Sequence, residues 1–151
     1  MYFKILILSS LGVRVSVDDK IVKFIQKHHV LSCSFYTQET IHSASCFYIF
    51  LDSPPRFIVA SNEETLHVKL AQKIPKVSGT IHLETEQIGK IQGIQYQGIW
   101  GEANRQESRA YLKRYPYAIA LSPKLWHIDI EYVKFTDNTL AFGKKLEFKI
   151  S

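Results

Sequence analysis

Lys134-Phe135-Thr136-Asp137-Asn138-Thr139-Leu140-Ala141-Phe142-Gly143-Lys144-Lys145 is the stretch on which the fold turns. An alternating strand runs into it, and Thr136 to Thr139 form a turn, because Asp and Asn side chains bond their own backbone and tolerate unusual dihedrals. A second strand starts behind Gly143-Lys144-Lys145 and closes the hairpin at Ile150. Just upstream, Trp126-His127-Ile128-Asp129-Ile130-Glu131 alternates apolar and polar, the pattern of a strand with one buried and one wet face.

Working outward, the same chemistry predicts a short amphipathic helix over 18–29, opened by Asp18 and Asp19 at the positive end of its dipole. Strands follow over Val30–Tyr36 and Ile41–Leu51, joined by the turn 37–40 and ended by Pro54-Pro55, since proline cannot donate to a ladder. Arg56–Ala60 is a third strand. Ser61 to Glu64 has the pattern of a capping box, with Leu66, Leu70 and Ile74 on one face of the next helix and Pro75 at its end. Lys76–Thr85 and Ile91–Gly101 are strands around a loop at Glu86–Lys90. Asn104 caps a basic helix that Pro116 stops. About seven strands and three helices without regular β-α-β alternation imply α+β with a mostly antiparallel sheet, and so many short strands need a barrel or a sandwich to hide their edges, the barrel being favoured.

The 151 residues suit one domain, residues 18–151, with 1–17 as an extension or edge strand. Hydrophobic content of 46% with 22% charge excludes a disordered chain. No stretch approaches the roughly 20 apolar residues of a membrane span. Cys33 and Cys46 form no disulfide framework, so buried thiols in a reducing cytoplasm are expected. A net charge of +5, dispersed along the chain, predicts mild attraction to anions and not a nucleic-acid interface. The helix with Arg105, Arg109, Lys113 and Arg114 is diluted by Glu102 and Glu107, and a solvated surface is the expectation for it. Asp129 and Glu131 share a strand face that reads as solvated.

No nucleophile elbow, P-loop, two-glycine dinucleotide fingerprint or His-Glu-x-x-His motif is present. The six histidines are scattered, and His28-His29 suits the end of a helix dipole. The start of the second helix is the one anion-binding element the spacing offers: free N–H groups there, with Thr65 and His67 nearby, suit phosphate. Glu63 and Glu64 oppose this unless they point away.

The closing string, together with Gln92-Gly93-Ile94-Gln95-Tyr96-Gln97-Gly98, Arg114-Tyr115-Pro116 and Leu121-Ser122-Pro123-Lys124-Leu125-Trp126, resembles the bacterial YhbP-type family. That family is similar in turn to the flavin-binding split β-barrels typified by pyridoxamine-phosphate oxidase. The resemblance covers Asp18 to Ile150 and implies a split barrel that forms a homodimer, with flavin mononucleotide (FMN) at the interface. It places Thr65 and His67 at the phosphate, His67 standing where the oxidases usually carry Lys, with Arg56, Lys69 or Lys144 as a supporting base. It implies that Ser45, Cys46 and Phe47 border the ring and that Gln92 reaches the ring or ribityl chain, with Trp126 and Lys144 near the site or interface. An oxidoreductase acting on an unidentified small substrate is the implied activity. A non-enzymatic module binding a ligand such as haem is the alternative.

Overall fold

The computed structural model of the chain describes residues 17–140 and 145–149. The segment 1–16, the residues 141–144 that include Lys144, and the chain end 150–151 lie outside the described residues.

Strands β1 (Val30–Tyr36) and β2 (Ile41–Asp52) form a hairpin in the register Val30↔Phe47 to Tyr36↔Ile41. Strand β3 (Pro55–Ala60) returns along β2. Helix α2 (Leu66–Lys73) carries the chain to β4 (Lys76–His82), which pairs with β1, and β5 (Gln92–Glu102) pairs with β4. Helix α3 (Arg105–Arg114) leads to β6 (Leu125–Asp137), which lies along β5. On its other edge, the first half of β6 pairs with β3, from Arg56↔Asp129 to Ala60↔Leu125. The order β3-β2-β1-β4-β5-β6 thereby closes into a six-stranded antiparallel barrel. Strand β7 (Lys145–Lys149) adds to the second half of β6.

The change of partner along β6 has a local cause. Gln97 pairs with Tyr132 and Gly98 with Ile130, so Glu131 is an extra residue in a β-bulge. A bulge bends its strand and increases its twist. It also shifts which residues face inward: Trp126, Ile128 and Ile130 are buried before it, Val133 and Phe135 after it. Gly98 sits opposite, where a Cβ would run into the Asp129 carbonyl oxygen and the Ile128 side chain.

The barrel is filled by Leu31, Cys33, Phe35, Phe57, Val59, Ile81, Ile94, Tyr96, Ile128 and Val133, all buried. Each large side chain of this set contributes about 1.5–3 kcal/mol through removal from water. Helix α1 (Asp19–Lys27) covers one end of the barrel with Ile21, Phe24 and Ile25, and the Tyr48 hydroxyl donates to the Ile25 carbonyl at 2.5 Å. His28 Nδ1 donates to the Phe24 carbonyl at 2.8 Å, which closes the helix end as its position suggests.

Several expected boundaries move. Helix α1 stops at Lys27, not at residue 29, and β4 stops at His82, short of Thr85. The loop 86–90 contains a 3₁₀ turn at Ile88–Lys90. Thr136 and Asp137 belong to β6 and not to the turn, because they pair with β7 and β5. Pro116 does end α3, yet it also opens a 3₁₀ helix over Pro116–Leu121, where a fixed φ and a missing N–H are tolerated.

Gly98→Ala places a methyl against backbone in a bulge that cannot relax without opening the β5–β6 pair. A loss of about 1–3 kcal/mol in urea unfolding is expected, as for overpacking elsewhere. Gly89→Ala, where a Cβ meets no atom within 4 Å, is the control and leaves the midpoint nearly unchanged.

Candidate functional site

Three polar side chains converge at the amino terminus of α2. Thr65 is its N-cap residue and makes no side-chain capping bond, so the first-turn N–H groups receive no help from the helix itself. Ser61 Oγ lies 2.5 Å from His67 Nε2 and 3.5 Å from Thr65 Oγ1, and Thr65 Oγ1 lies 3.3 Å from His67 Nε2. The Thr65 hydroxyl donates to the Asn62 carbonyl at 2.7 Å. The capping box expected from Ser61 and Glu64 does not form. The helix starts later, at Leu66, Asn62 Oδ1 accepts from the Glu64 N–H at 2.8 Å, and Ser61 turns to His67.

His67 packs on Phe35, with ring centroids 5.4 Å apart, and its ring is nearly parallel to that of His42 at 6.3 Å. Burial lowers the His67 pKa below its ordinary 6.5, and the neighbouring His42 lowers it further. The imidazole is therefore neutral at neutral pH. Both acids next to the helix start are answered: Glu64 pairs with Lys69 at 2.9 Å and Glu63 with Lys124 at 3.5 Å. What remains is a cluster of hydroxyls, an imidazole and helix N–H groups, without a free cation among the described residues.

Thr65 and His67 are thus brought together as their spacing predicted, and Ser61 joins them. Trp126 lies beneath this end, buried, and its indole N–H donates to the Ser61 carbonyl at 3.0 Å. It braces the Ser61 backbone and offers no open ring face. Cys46 points into the barrel, where burial pushes its thiol up to about 11, and Cys33 is pushed to about 12. Both behave as small core residues. Ser45 and Phe47 point outward from β2, on the face opposite Cys46, and Phe47 meets Tyr115 edge-on at 5.8 Å. Gln92 stands at the start of β5, while Trp100, which shares Phe35 with His67, stands eight residues further along. That separation is roughly 26 Å along an extended strand, so Gln92 lies at the opposite end of the barrel. Lys144 is outside the described residues.

The supporting bases are committed elsewhere. Arg56 forms an ion pair with Glu107 and another with Asp129, the latter at 2.6 Å. Lys69 holds Glu64. Asp129 is thus ion-paired yet still half-exposed, and Glu131, the bulge residue near it, is half-exposed too. Glu107 does not dilute the exposed charge of α3. It turns inward, accepts from the Asn104 N–H at 2.7 Å in a capping box, and joins α3 to the β3–β6 seam through Arg56. His127 completes the cluster, 3.5 Å from Glu107 and 3.6 Å from Asp129. Burial alone would raise the Glu107 pKa, but the Asn104 N–H and the Arg56 guanidinium outweigh it and hold the carboxyl below its ordinary 4.5.

This closed barrel with its extra strand and flanking helices is a split β-barrel. The fold is shared with a FAD-binding protein of Mesorhizobium loti (TM-score 0.61, 13% identity, 76% of this chain and 87% of that one). It is shared as well with HutZ, the heme storage protein of Vibrio cholerae (TM-score 0.64, 13% identity, 79% and 92%). A candidate pyridoxamine 5'-phosphate oxidase of Listeria innocua has it too (TM-score 0.59, 13% identity, 78% and 95%). No family model matches the sequence. A UPF0306 protein of Cronobacter sakazakii is 36% identical over 132 residues, covering 85% of this chain and 92% of the relative. YhbP of Salmonella arizonae, also a UPF0306 protein, is 32% identical over 132 residues, covering 85% and 90%. The chain belongs to the UPF0306 family.

Glu107 makes the acid limb of stability testable. Its folded pKa lies below its unfolded value, so its contribution is present above about 4.5 and is lost as pH falls through the folded pKa. Glu107→Ala leaves Arg56 short of one buried partner and should cost roughly 2–4 kcal/mol at pH 7. The deficit should shrink below pH 4 in pH-dependent urea unfolding. A deficit that does not change with pH would refute the assignment.

Proposed function

We propose that this protein is an FMN-binding split barrel that works as a homodimer and carries out redox chemistry on a small molecule. The observation behind this is the convergence of Ser61, Thr65 and His67 at the uncapped amino terminus of α2. A phosphate monoester fits this donor set: the Ser61 hydroxyl, the His67 imidazole and backbone N–H groups suit its oxygens, Thr65 joins them once its hydroxyl turns from the Asn62 carbonyl, and the helix dipole favours its charge. The fit is charge-poor, because His67 is neutral near pH 7 and Arg56 and Lys69 are paired with acids.

When bound, the flavin supplies the electron transfer, while the chain orients it and excludes water. In this reading Ser61, Thr65 and His67 of one copy hold the phosphate. Gln92, at the other end of the barrel, reaches the same ligand from the second copy. Trp126 fixes the backbone that carries Ser61. Haem is the competing ligand, and a missing Soret shift on titration separates it from flavin.

FMN should quench on binding and bind more tightly than riboflavin, which lacks the phosphate. Thr65→Ala should reduce that preference. His67→Lys adds a fixed cation and should raise FMN affinity about tenfold at pH 7.5, as expected when a neutral hydrogen bond becomes charge-assisted. The advantage should narrow as pH falls through the lowered His67 pKa, where His67 takes up its own proton. A purified protein that takes up neither added FMN nor haem ends this reading. The dimer has its own test. Mixing a Thr65→Ala/His67→Ala chain with a Gln92→Ala chain should restore some FMN sites, since half of the sites in mixed dimers are intact. No recovery on mixing argues that both residue sets do not serve one ligand.

A further inference from the structure

The end of the barrel away from Ser61 holds a cavity whose chemistry differs from that of the α2 cluster. It lies between α1, the start of β5 and the end of β6, has a volume of about 270 Å³, and is lined by Lys20, Lys23, Phe24, Lys27, Gln92, Phe135, Asp137 and Leu140. The size falls just below the roughly 300–1,000 Å³ of drug-sized ligand pockets and suits a smaller molecule. Its floor is apolar: Phe24 and Phe135 are buried, with ring centroids 5.1 Å apart, and Leu140 borders them half-exposed.

The rim is cationic by construction. Lys20, Lys23 and Lys27 fall at i, i+3 and i+7 of α1, which is one face of a helix. None of the three makes an ion pair among the described residues, although Lys69, Lys76 and Lys124 all do. Asp137 is the acid in the cavity, and its oxygens are engaged: Oδ1 accepts from the Thr139 N–H at 2.9 Å and the Thr139 hydroxyl at 2.6 Å. Burial would raise the Asp137 pKa, but hydrogen bonds from Thr139 and Gln92 outweigh it and keep it ionised, with Lys20 adding to the effect. Lys23 and Lys27 are exposed and have no acid partner among the described residues. Asp19 precedes Lys23 by four residues and shares its helix face, but forms no ion pair with it among the described residues, and Asp18 caps the helix through the Lys20 N–H at 2.8 Å.

Unpaired lysines over an apolar floor are the two halves of a site for a small amphipathic anion. We propose that this cavity binds a small organic anion whose ring-sized apolar body rests on Phe24, Phe135 and Leu140. Its carboxylate or phosphate head is held by Lys23 and Lys27. Lysines grip such a head as point charges, so head-group geometry matters less than charge. The apolar floor contributes in proportion to the ligand surface it covers. Gln92 is shared with the flavin reading, whereas Lys23, Lys27, Phe24 and Phe135 belong to no part of it, so the test rests on the two lysines.

The test uses the full chain labelled with 15N and titrated with 1-naphthoate, naphthyl phosphate and the neutral 1-naphthamide. Saturable shifts confined to residues 20–27, 92 and 135–140 are expected for both anions. The amide should bind about tenfold more weakly, since it lacks the charge-assisted bond. Lys23→Glu/Lys27→Glu should lose the anions by about the same factor while its melting temperature and FMN binding stay as in the parent. Equal binding of anion and amide, equal binding by the charge-reversed variant, or no saturable shifts with either anion would each overturn the proposal. A preference between the two anions identifies the head group.

Discussion

The structure depends on the two-sided use of β6. One edge of this strand is taken throughout by β5, and the other is divided between β3 and β7. A straight strand could not serve both, because a closing barrel strand must tilt and twist away from an open neighbour. The extra residue Glu131 supplies the bend, and Gly98 supplies the room for it. Without this bulge, Val133 and Phe135 would point outward and the second half of β6 would lose its buried face. Barrel closure and core composition are one constraint.

The polar features are arranged around that seam. Arg56 and Asp129 are direct cross-strand partners on β3 and β6, and Glu107 brings α3 onto them. A buried ion pair is weak evidence of stabilisation, because desolvation offsets most of the attraction. Its better-founded effect here is geometric. With one bidentate-capable guanidinium shared between two carboxylates, α3 can dock in one register only. The same seam continues through Ala60↔Leu125 to Ser61, whose N–H donates to the Lys124 carbonyl at 3.0 Å. The Ser61–His67 cluster is in effect the end of the barrel closure, held from below by Trp126.

What the sequence made legible follows distance along the chain. The β1–β2 hairpin and the Asn104 cap are set by neighbours a few residues apart, and both appear where local chemistry places them. The Arg56 cluster draws on positions 56, 107, 127 and 129, and no local pattern links these. Arg56 consequently looked like a spare base. The bulge did leave a trace, since the apolar phase steps from Ile128 and Ile130 to Val133 and Phe135, one residue out of alternation. His42 was also open to inference: it shares the parity of the inward-facing Cys46 and Tyr48, so it belongs on the His67 side of β2. Thr65 and His67 came from spacing, yet their real neighbour Ser61 was assigned to a cap. Capping and ligand-binding hydroxyls use the same residue types at the same helix positions.

The distribution of charge then separates the two ends of the molecule. A surplus of five cations looks like general attraction to anions. At the α2 end, however, Arg56, Lys69 and Lys124 are each matched by acids, and the polar cluster there is made of neutral donors. At the α1 end Lys23 and Lys27 are unmatched among the described residues. Neutral donors at a helix terminus discriminate by geometry and tolerate salt. Free lysines over an apolar floor attract by charge and are screened within a Debye length of about 8 Å at physiological ionic strength. The two ends therefore differ in what they can select, one by the shape of a phosphate and the other by the sign of a charge joined to an apolar body.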